Sequence, residues 1–194
     1  MGLRRADLDP DPLRQFRRWF DDAREVVRAP EAMAVATATA SGAPSVRMVL
    51  LKAADDRGLV FYTHYVSRKG RELEGNPQAA LLFYWDPLGR QVRVEGRVEH
   101  VSTEESDAYF ATRPAGARIG AVVSRQSEVL DDRAELERRV AELAGTDPPR
   151  PETWGGFRLV AEAWEFWQHR DDRLHDRFRY TRHDGGWVSE RLYP

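Results

Sequence analysis

MAVATATA (33–40), SVRMVLLKA (45–53), LVFYT (59–63), AALLFYW (79–85) and RQVRVEGRVEHV (90–101) follow one another along the chain. Each run is short and rich in β-branched, aromatic or other apolar residues. Turn signals separate them: Ser41-Gly42, Asp55-Asp56-Arg57-Gly58 and Asp86-Pro87-Leu88-Gly89. Hairpin-like spacing of this kind predicts an antiparallel sheet that closes or nearly closes. One helix, over about 67–74, interrupts the series.

Outward from that core, residues 12–28 predict an amphipathic helix, with Asp11 as cap, Pro12 in the first turn, and Leu13, Phe16, Trp19, Phe20, Ala23 and Val27 at helical spacing. Ser102 and Glu105 fit a capping box that opens a helix through Phe110, and Arg113-Pro114 should end it. A further helix is expected over about 131–144. Three more strands are expected at 155–168, 174–182 and 187–193, the last two joined by Asp184-Gly185-Gly186. The Pro-rich run 145–153 reads as a stiff connection, because the 41 residues 154–194 are too few to fold alone. The expectation is a single domain over 1–194: an N-terminal segment and helix over 1–30, then the barrel strands, then C-terminal strands over 154–194 that complete the site. The fold class is mainly β with flanking helices (α+β).

The chain has 194 residues, enough to bury a core without covalent staples, and it has no cysteine. That excludes disulfides, thiolate metal sites and thiol nucleophiles together. No metal site is expected. The first residues contain no apolar run of the signal-peptide type, and no later stretch approaches the roughly 18 apolar residues of a membrane span. A soluble, cytoplasmic protein is the expectation, with no membrane partner. A net charge of −2 does not suggest a nucleic-acid binder, so any anion site must be local. Of the 30 basic residues only Lys52 and Lys69 are lysine, the other 28 being arginine. A retained ammonium in such a chain marks a place where a compact charge suits the task, or a surface position kept by chance.

Three segments point to chemistry. In Ser67-Arg68-Lys69-Gly70-Arg71, a serine cap would set three cations in the first turns of a helix, where the macrodipole disfavours each by about 0.3–1 kcal/mol. A bound phosphate would compensate them; a solvated basic helix end is the other reading. Arg47-Met48-Val49-Leu50-Leu51-Lys52 places two cations five positions apart, on opposite faces of a regular strand, as if for two different anions. A plain strand with charged ends is the alternative. Third, on an extended strand Arg173, His175 and Arg177 would project from one face and need an electron-rich partner, with Trp167 as an aromatic wall. The bland reading of that histidine is structural.

Together these segments resemble the pyridoxine (pyridoxamine) 5'-phosphate oxidase family over nearly the whole chain. The stretches that carry the likeness, in order, are GLRRADL, RMVLLK, VFYT, SRKGREL, LLFYW, RQVRVEG, ESDAYFATRP, RQS, WGGF and EFWQ…RLHDR. The resemblance implies an FMN-binding split β-barrel of antiparallel Greek-key type, and a homodimer with one FMN in each of two intersubunit clefts. It implies an FMN site of Arg47, Met48, Val49, Leu50, Leu51, Lys52, Tyr62, Thr63, Arg68, Lys69 and Gln91, completed by Gln126, Ser127, Trp167 and Arg177, some of them from the partner chain. Lys52, Tyr109 and Arg113 match the clamp on the substrate phosphate. Arg173, Leu174 and His175 match the substrate-ring contacts, with Arg173 and His175 orienting the reacting substrate. The implied reaction moves a hydride from the 4' carbon of a B6 phosphate to the flavin, and O2 then reoxidises the flavin to give hydrogen peroxide. Arg177 near the flavin would favour the negative charge of reduction.

The chain departs from the family pattern at Ala117, where serine is usual, at His169-Arg170, where glycine commonly follows EFWQ, and at Ala29, where an acidic residue is common. A sister flavin oxidase of the same fold, resembling the phenazine-biosynthesis group, and a non-catalytic carrier of FMN or pyridoxal 5'-phosphate are the competing readings. The first would keep the FMN residues and change the substrate contacts.

Overall fold

The computed structural model describes residues 2–194; Met1, the first residue of the predicted N-terminal segment, lies outside the described residues. The elements run α1 (Pro12–Val26), β1 (Ala32–Ala38), β2 (Pro44–Leu50), β3 (Ala53–Asp55), β4 (Gly58–His64), α2 (Arg68–Gly75), β5 (Gln78–Trp85), β6 (Arg90–His100), α3 (Thr103–Ala111), α4 (Ala115–Val123), α5 (Arg133–Glu142), β7 (Trp154–Gln168), β8 (Asp176–His183) and β9 (Gly186–Leu192). Single 3-10 turns occupy Arg5–Asp7 and Asp86–Leu88.

Among the described residues all nine strands join one antiparallel sheet, in the order β2-β1-β5-β6-β7-β4-β3, with β8 and β9 branching from β7. The two ends of that path, β2 and β3, are separated in the chain only by Leu51 and Lys52, so the sheet has to curl back on itself. The Lys52 N–H, donating to the Val60 carbonyl at 2.8 Å, ties the junction to β4. The split follows from β7: its first half pairs with β4 (Trp154 to Leu159), its second half with β8 (Ala163 to Gln168), while β6 runs along its other edge. A register shift at Glu95/Gly96 bends β6 against β7 where one partner gives way to the other. The mainly β split barrel with flanking helices is the architecture that the strand spacing and the resemblance anticipated.

The core fills the barrel and extends under α1. Phe16, fully buried, meets Phe83 at 5.0 Å and Trp164 at 5.6 Å between ring centroids, and Trp19 meets Phe166 edge-on at 5.2 Å. Asp11 caps α1 by accepting from the Leu13 N–H at 2.8 Å. The β8–β9 hairpin closes through Asp184 and Gly185, both at positive φ, as a tight turn between right-twisted strands demands.

Three expectations need correction. The helix α4 is not anticipated: α3 does end before Arg113-Pro114, but a new helix starts directly after Pro114, in a stretch where Gly116 and Gly120 weaken the helical pattern. The capping box of α3 is half formed: Ser102 Oγ accepts from the Glu105 N–H at 3.1 Å, but the Glu105 carboxylate turns away to Arg158 and Arg57. And β8 begins at Asp176, so Arg173 and His175 are not on a strand with Arg177. Arg173 sits in the left-handed region at φ 65° in the turn before it.

Candidate active site

Where β2 runs into β3, facing α2, α3 and α4, a cavity of about 450 Å³ opens to the surface. Of the predicted residues it is lined by Met48, Val49, Leu50, Lys52, Tyr62, Thr63, Lys69, Tyr109, Arg113 and Gln126. Both lysines of the chain therefore face one space. Lys69 is buried, and its Nζ donates to Gln126 Oε1 at 2.8 Å and to Thr63 Oγ1 at 3.0 Å. Burial, with Arg47 nearby and Glu72 only partly offsetting them, lowers its pKa to about 8. Lys52 is exposed at the other side, its Nζ 6.0 Å from the centre of the Tyr109 ring.

The wall between them is aromatic. Tyr109 stacks on Tyr62 at 4.0 Å, and Tyr62 on Trp154 at 5.5 Å. The Arg113 guanidinium lies over Trp154 at 4.6 Å, and its buried Nη1 has no hydrogen-bond partner among the described residues. A buried guanidinium nitrogen left unpaired is costly, and an anion in the cavity would satisfy it. Burial also lowers the Arg113 pKa. His64, missed in the sequence, lines the same cavity. Burial lowers its pKa, and Lys69 and Arg113 push it further in that direction.

A second group of predicted residues lies elsewhere on the chain. Gln91, Trp167 and Arg177 are register partners across β6, β7 and β8, so they form one row on one face of the sheet. The ring of His175 is 4.6 Å from Trp167, and its Nδ1 accepts from the Arg170 N–H at 3.1 Å, which assigns the proton of the neutral ring to Nε2. The unusual His169 packs 5.3 Å from His175. Arg177 is held by the buried Glu165 at 2.8 Å, and Arg173 and Leu174 are exposed beside this row. None of these residues lines the cavity of the two lysines.

Four further predicted residues stand outside the lining of this cavity. The Leu51 side chain is 8% exposed and packs in the core, outside the lining of the cavity. Ser127, at φ 77°, accepts from the Arg68 N–H at 3.1 Å at the start of α2. Arg47 and Arg68 do not line the cavity; both pair with Glu72, at 3.1 and 2.9 Å. The cations of α2 are thus partly compensated from within the helix by the Glu72 carboxylate, a partner not anticipated from the sequence. The Arg68 to Glu72 spacing of four residues was the available signal.

The outward face of β2 is apolar and open: Val46 is 68% and Met48 64% exposed. Among the described residues no helix is long and apolar enough to cross a membrane.

A family model described as pyridoxamine 5'-phosphate oxidase matches residues 20–147, and one described as pyridoxine 5'-phosphate oxidase C-terminal dimerisation region matches residues 154–194. Two curated relatives, each called pyridoxine/pyridoxamine 5'-phosphate oxidase, are 57% identical over the whole chain. That of Rubrobacter xylanophilus is covered over 91% of its length and that of Burkholderia vietnamiensis over 94%. Among solved structures, PhzG from Burkholderia lata 383, in complex with tetrahydrophenazine-1-carboxylic acid, superposes with a TM-score of 0.93 at 38% identity, over 97% of this chain and 95% of that one. A pyridoxamine 5'-phosphate oxidase-related, FMN-binding protein from Nostoc punctiforme, at 18% identity and a TM-score of 0.76 over 96% of this chain and all of its own, shares the fold. With both halves of the chain matched and full-length identity far above what chance allows, the protein belongs to the pyridoxine/pyridoxamine 5'-phosphate oxidase family.

Proposed function

We propose that two copies of this chain form a homodimer that binds FMN between them and oxidises pyridoxine 5'-phosphate and pyridoxamine 5'-phosphate to pyridoxal 5'-phosphate, with O2 as acceptor and hydrogen peroxide as product. The observation that carries this reading is the division of the site residues into two groups on one chain. The cavity holds two lysines and an Arg113 whose buried Nη1 has no partner among the described residues, fitted to phosphorylated ligands. The Gln91–Trp167–Arg177 row with His175 offers aromatic and donor groups fitted to ring edges, yet lies outside that cavity. A partner that covers the exposed face of β2 and brings its own row to the cavity would complete the site, and the match to a dimerisation region supports it.

The residues fit the flavin. Lys69, Thr63, Gln126, Arg47 and Arg68 would hold its phosphate end, and Gln91, Trp167 and Arg177 its ring system. When bound, FMN supplies the two-electron chemistry that the side chains lack, accepting electrons from the substrate and passing them to O2. The chain's own residues bind and orient. Lys52, Tyr109 and Arg113 grip the substrate phosphate, while Arg173 and the Nε2–H of His175 fix the pyridine ring, so that remote binding energy is spent on alignment. Arg177, cationic and half-buried, favours negative charge on the ring it faces.

A second reading, a sister oxidase acting on another aromatic substrate, draws on the likeness to PhzG and on Ala117, which removes a hydroxyl from the cavity wall. The higher identity to the B6-oxidase relatives favours the first reading. The test is direct: purified protein reconstituted with FMN is expected to turn pyridoxine 5'-phosphate or pyridoxamine 5'-phosphate, in air, into an aldehyde with stoichiometric peroxide. A yellow protein inert to both substrates would overturn the assignment in favour of the sister oxidase or a carrier.

A further inference from the structure

Glu72 is buried, at 6% exposure, on the inward side of α2, and four donors from three elements converge on it. Its Oε2 accepts from Thr37 of β1, from Ser45 of β2 at 2.5 Å and from Arg47 of β2 at 3.1 Å; its Oε1 accepts from Arg68 Nε at 2.9 Å. A buried carboxylate needs partners, but the two hydroxyls are shared with Arg47 as well, since its guanidinium also donates to Thr37 and Ser45. Arg47 is thereby locked in place. Arg68 is different. Its side chain is 61% exposed and is held by Nε alone, so its two terminal nitrogens, the pair that grips an anion bidentately, have no protein partner among the described residues.

Burial acts to raise the Glu72 pKa, but hydrogen bonds from Ser45, Thr37, Arg68 and Arg47 outweigh it and bring the group down to about 2. The carboxylate is therefore charged at any working pH and opposes two cations, leaving the trio with one net positive charge.

We propose that Glu72 is a positioning residue for the flavin phosphate, its buried carboxylate fixing the direction in which Arg68, alongside the locked Arg47, presents its free terminal nitrogens to the anion. The proposal rests on the reading of the site given above. It makes an unusual demand: removing a negative charge from beside a phosphate site would ordinarily tighten anion binding, whereas losing a positioning group weakens it. The sign of the effect separates the two.

The experiment titrates FMN and riboflavin separately into flavin-free full-length protein, wild type and Glu72→Gln, following flavin fluorescence, with the melting temperature recorded for each. Riboflavin lacks the phosphate and serves as the internal control. Glu72→Gln is expected to weaken FMN binding tenfold or more and to leave riboflavin binding within about twofold, which collapses the preference for FMN. Unchanged or tighter FMN binding overturns the proposal, as does a parallel loss of both flavins, which would mark Glu72 as a fold staple only. Should Glu72→Gln not fold, Glu72→Asp keeps the buried charge but shortens its reach by one methylene, and the same ratio decides. If wild-type protein itself shows no preference for FMN over riboflavin, the reading of the site fails first and takes this inference with it, a result visible before any variant is made.

Discussion

Lys69 is the buried ammonium of the cavity. In the folded chain its pKa is lowered to about 8 from an ordinary value of 10.5. A lowered lysine is the reverse of the usual stabilising case: between about pH 8 and 10.5 the unfolded chain binds the proton more tightly, so burying Lys69 costs stability at neutral pH, and that cost fades as pH rises through this window. A phosphate bound to the ammonium reverses the preference by favouring the charged form. FMN affinity is therefore expected to fall as pH rises above about 8, with proton uptake on binding, measurable by calorimetry in buffers of different ionisation enthalpy. Lys69→Met should remove that pH dependence and weaken FMN about ten- to hundredfold, the range for a charge-assisted hydrogen bond. A pH dependence that survives in Lys69→Met would assign the titration to another group. Ala117 carries a second expectation at this scale: Ala117→Ser restores a hydroxyl to the cavity wall and should lower KM for the phosphorylated substrate about two- to tenfold with little change in kcat, as one neutral hydrogen bond allows.

At the scale of elements, the join of β4 to α2 sets the geometry on which these residues depend. A Cβ built on Gly70 would stand 1.9 Å from the Tyr65 carbonyl oxygen and 2.8 Å from that of His64, both backbone atoms that cannot step aside. The N-terminus of α2 therefore lies hard against the chain that leads into it. Gly70→Ala is expected to lower the melting temperature, by roughly 1–3 kcal/mol of stability as for other overpacked sites, and to weaken FMN more than riboflavin because Arg68 and Lys69 move with the helix. A thermal shift with no change in flavin preference would show that α2 tolerates displacement. Most of the elements were legible beforehand, because hairpin turns and the 3.6-residue period of α1 are local signals. What stayed hidden was set by tertiary packing. The helix α4 has no polar cap and two glycines, and it forms because Ala121 packs with Phe110 and Trp154 in a small cluster beside the cavity. The turn that removes Arg173 and His175 from β8 is likewise shaped by contacts remote in sequence, among them Asp176 accepting from the Leu3 N–H. Glu72 was half visible: its spacing from Arg68 could be read, but its meeting with Thr37 and Ser45 depends on how β1, β2 and α2 converge.

At the scale of the whole molecule, the two groups of site residues make the quaternary arrangement testable without a structure of the dimer. If each site draws Lys52, Lys69 and Arg113 from one subunit and Trp167, Arg173 and His175 from the other, then Arg113→Ala damages the cavity side of both sites and Arg173→Ala the opposite side of both. Each variant alone is expected to lose most of its turnover. In a heterodimer of the two, one site collects both defects and the other collects neither, because a two-fold interface places the same patch on both subunits. Random exchange of subunits makes half of the dimers mixed, each with one intact site, so unfolding and refolding the pair together should recover about a quarter of wild-type activity. Mixing without exchange should recover none. The intact site would carry the wild-type KM, since no altered residue lies in it, and this distinguishes complementation from a partial gain at a damaged site. A refolded mixture no more active than its parts would mean that one chain furnishes both groups by a movement absent from the present arrangement, and the intersubunit site would have to be abandoned.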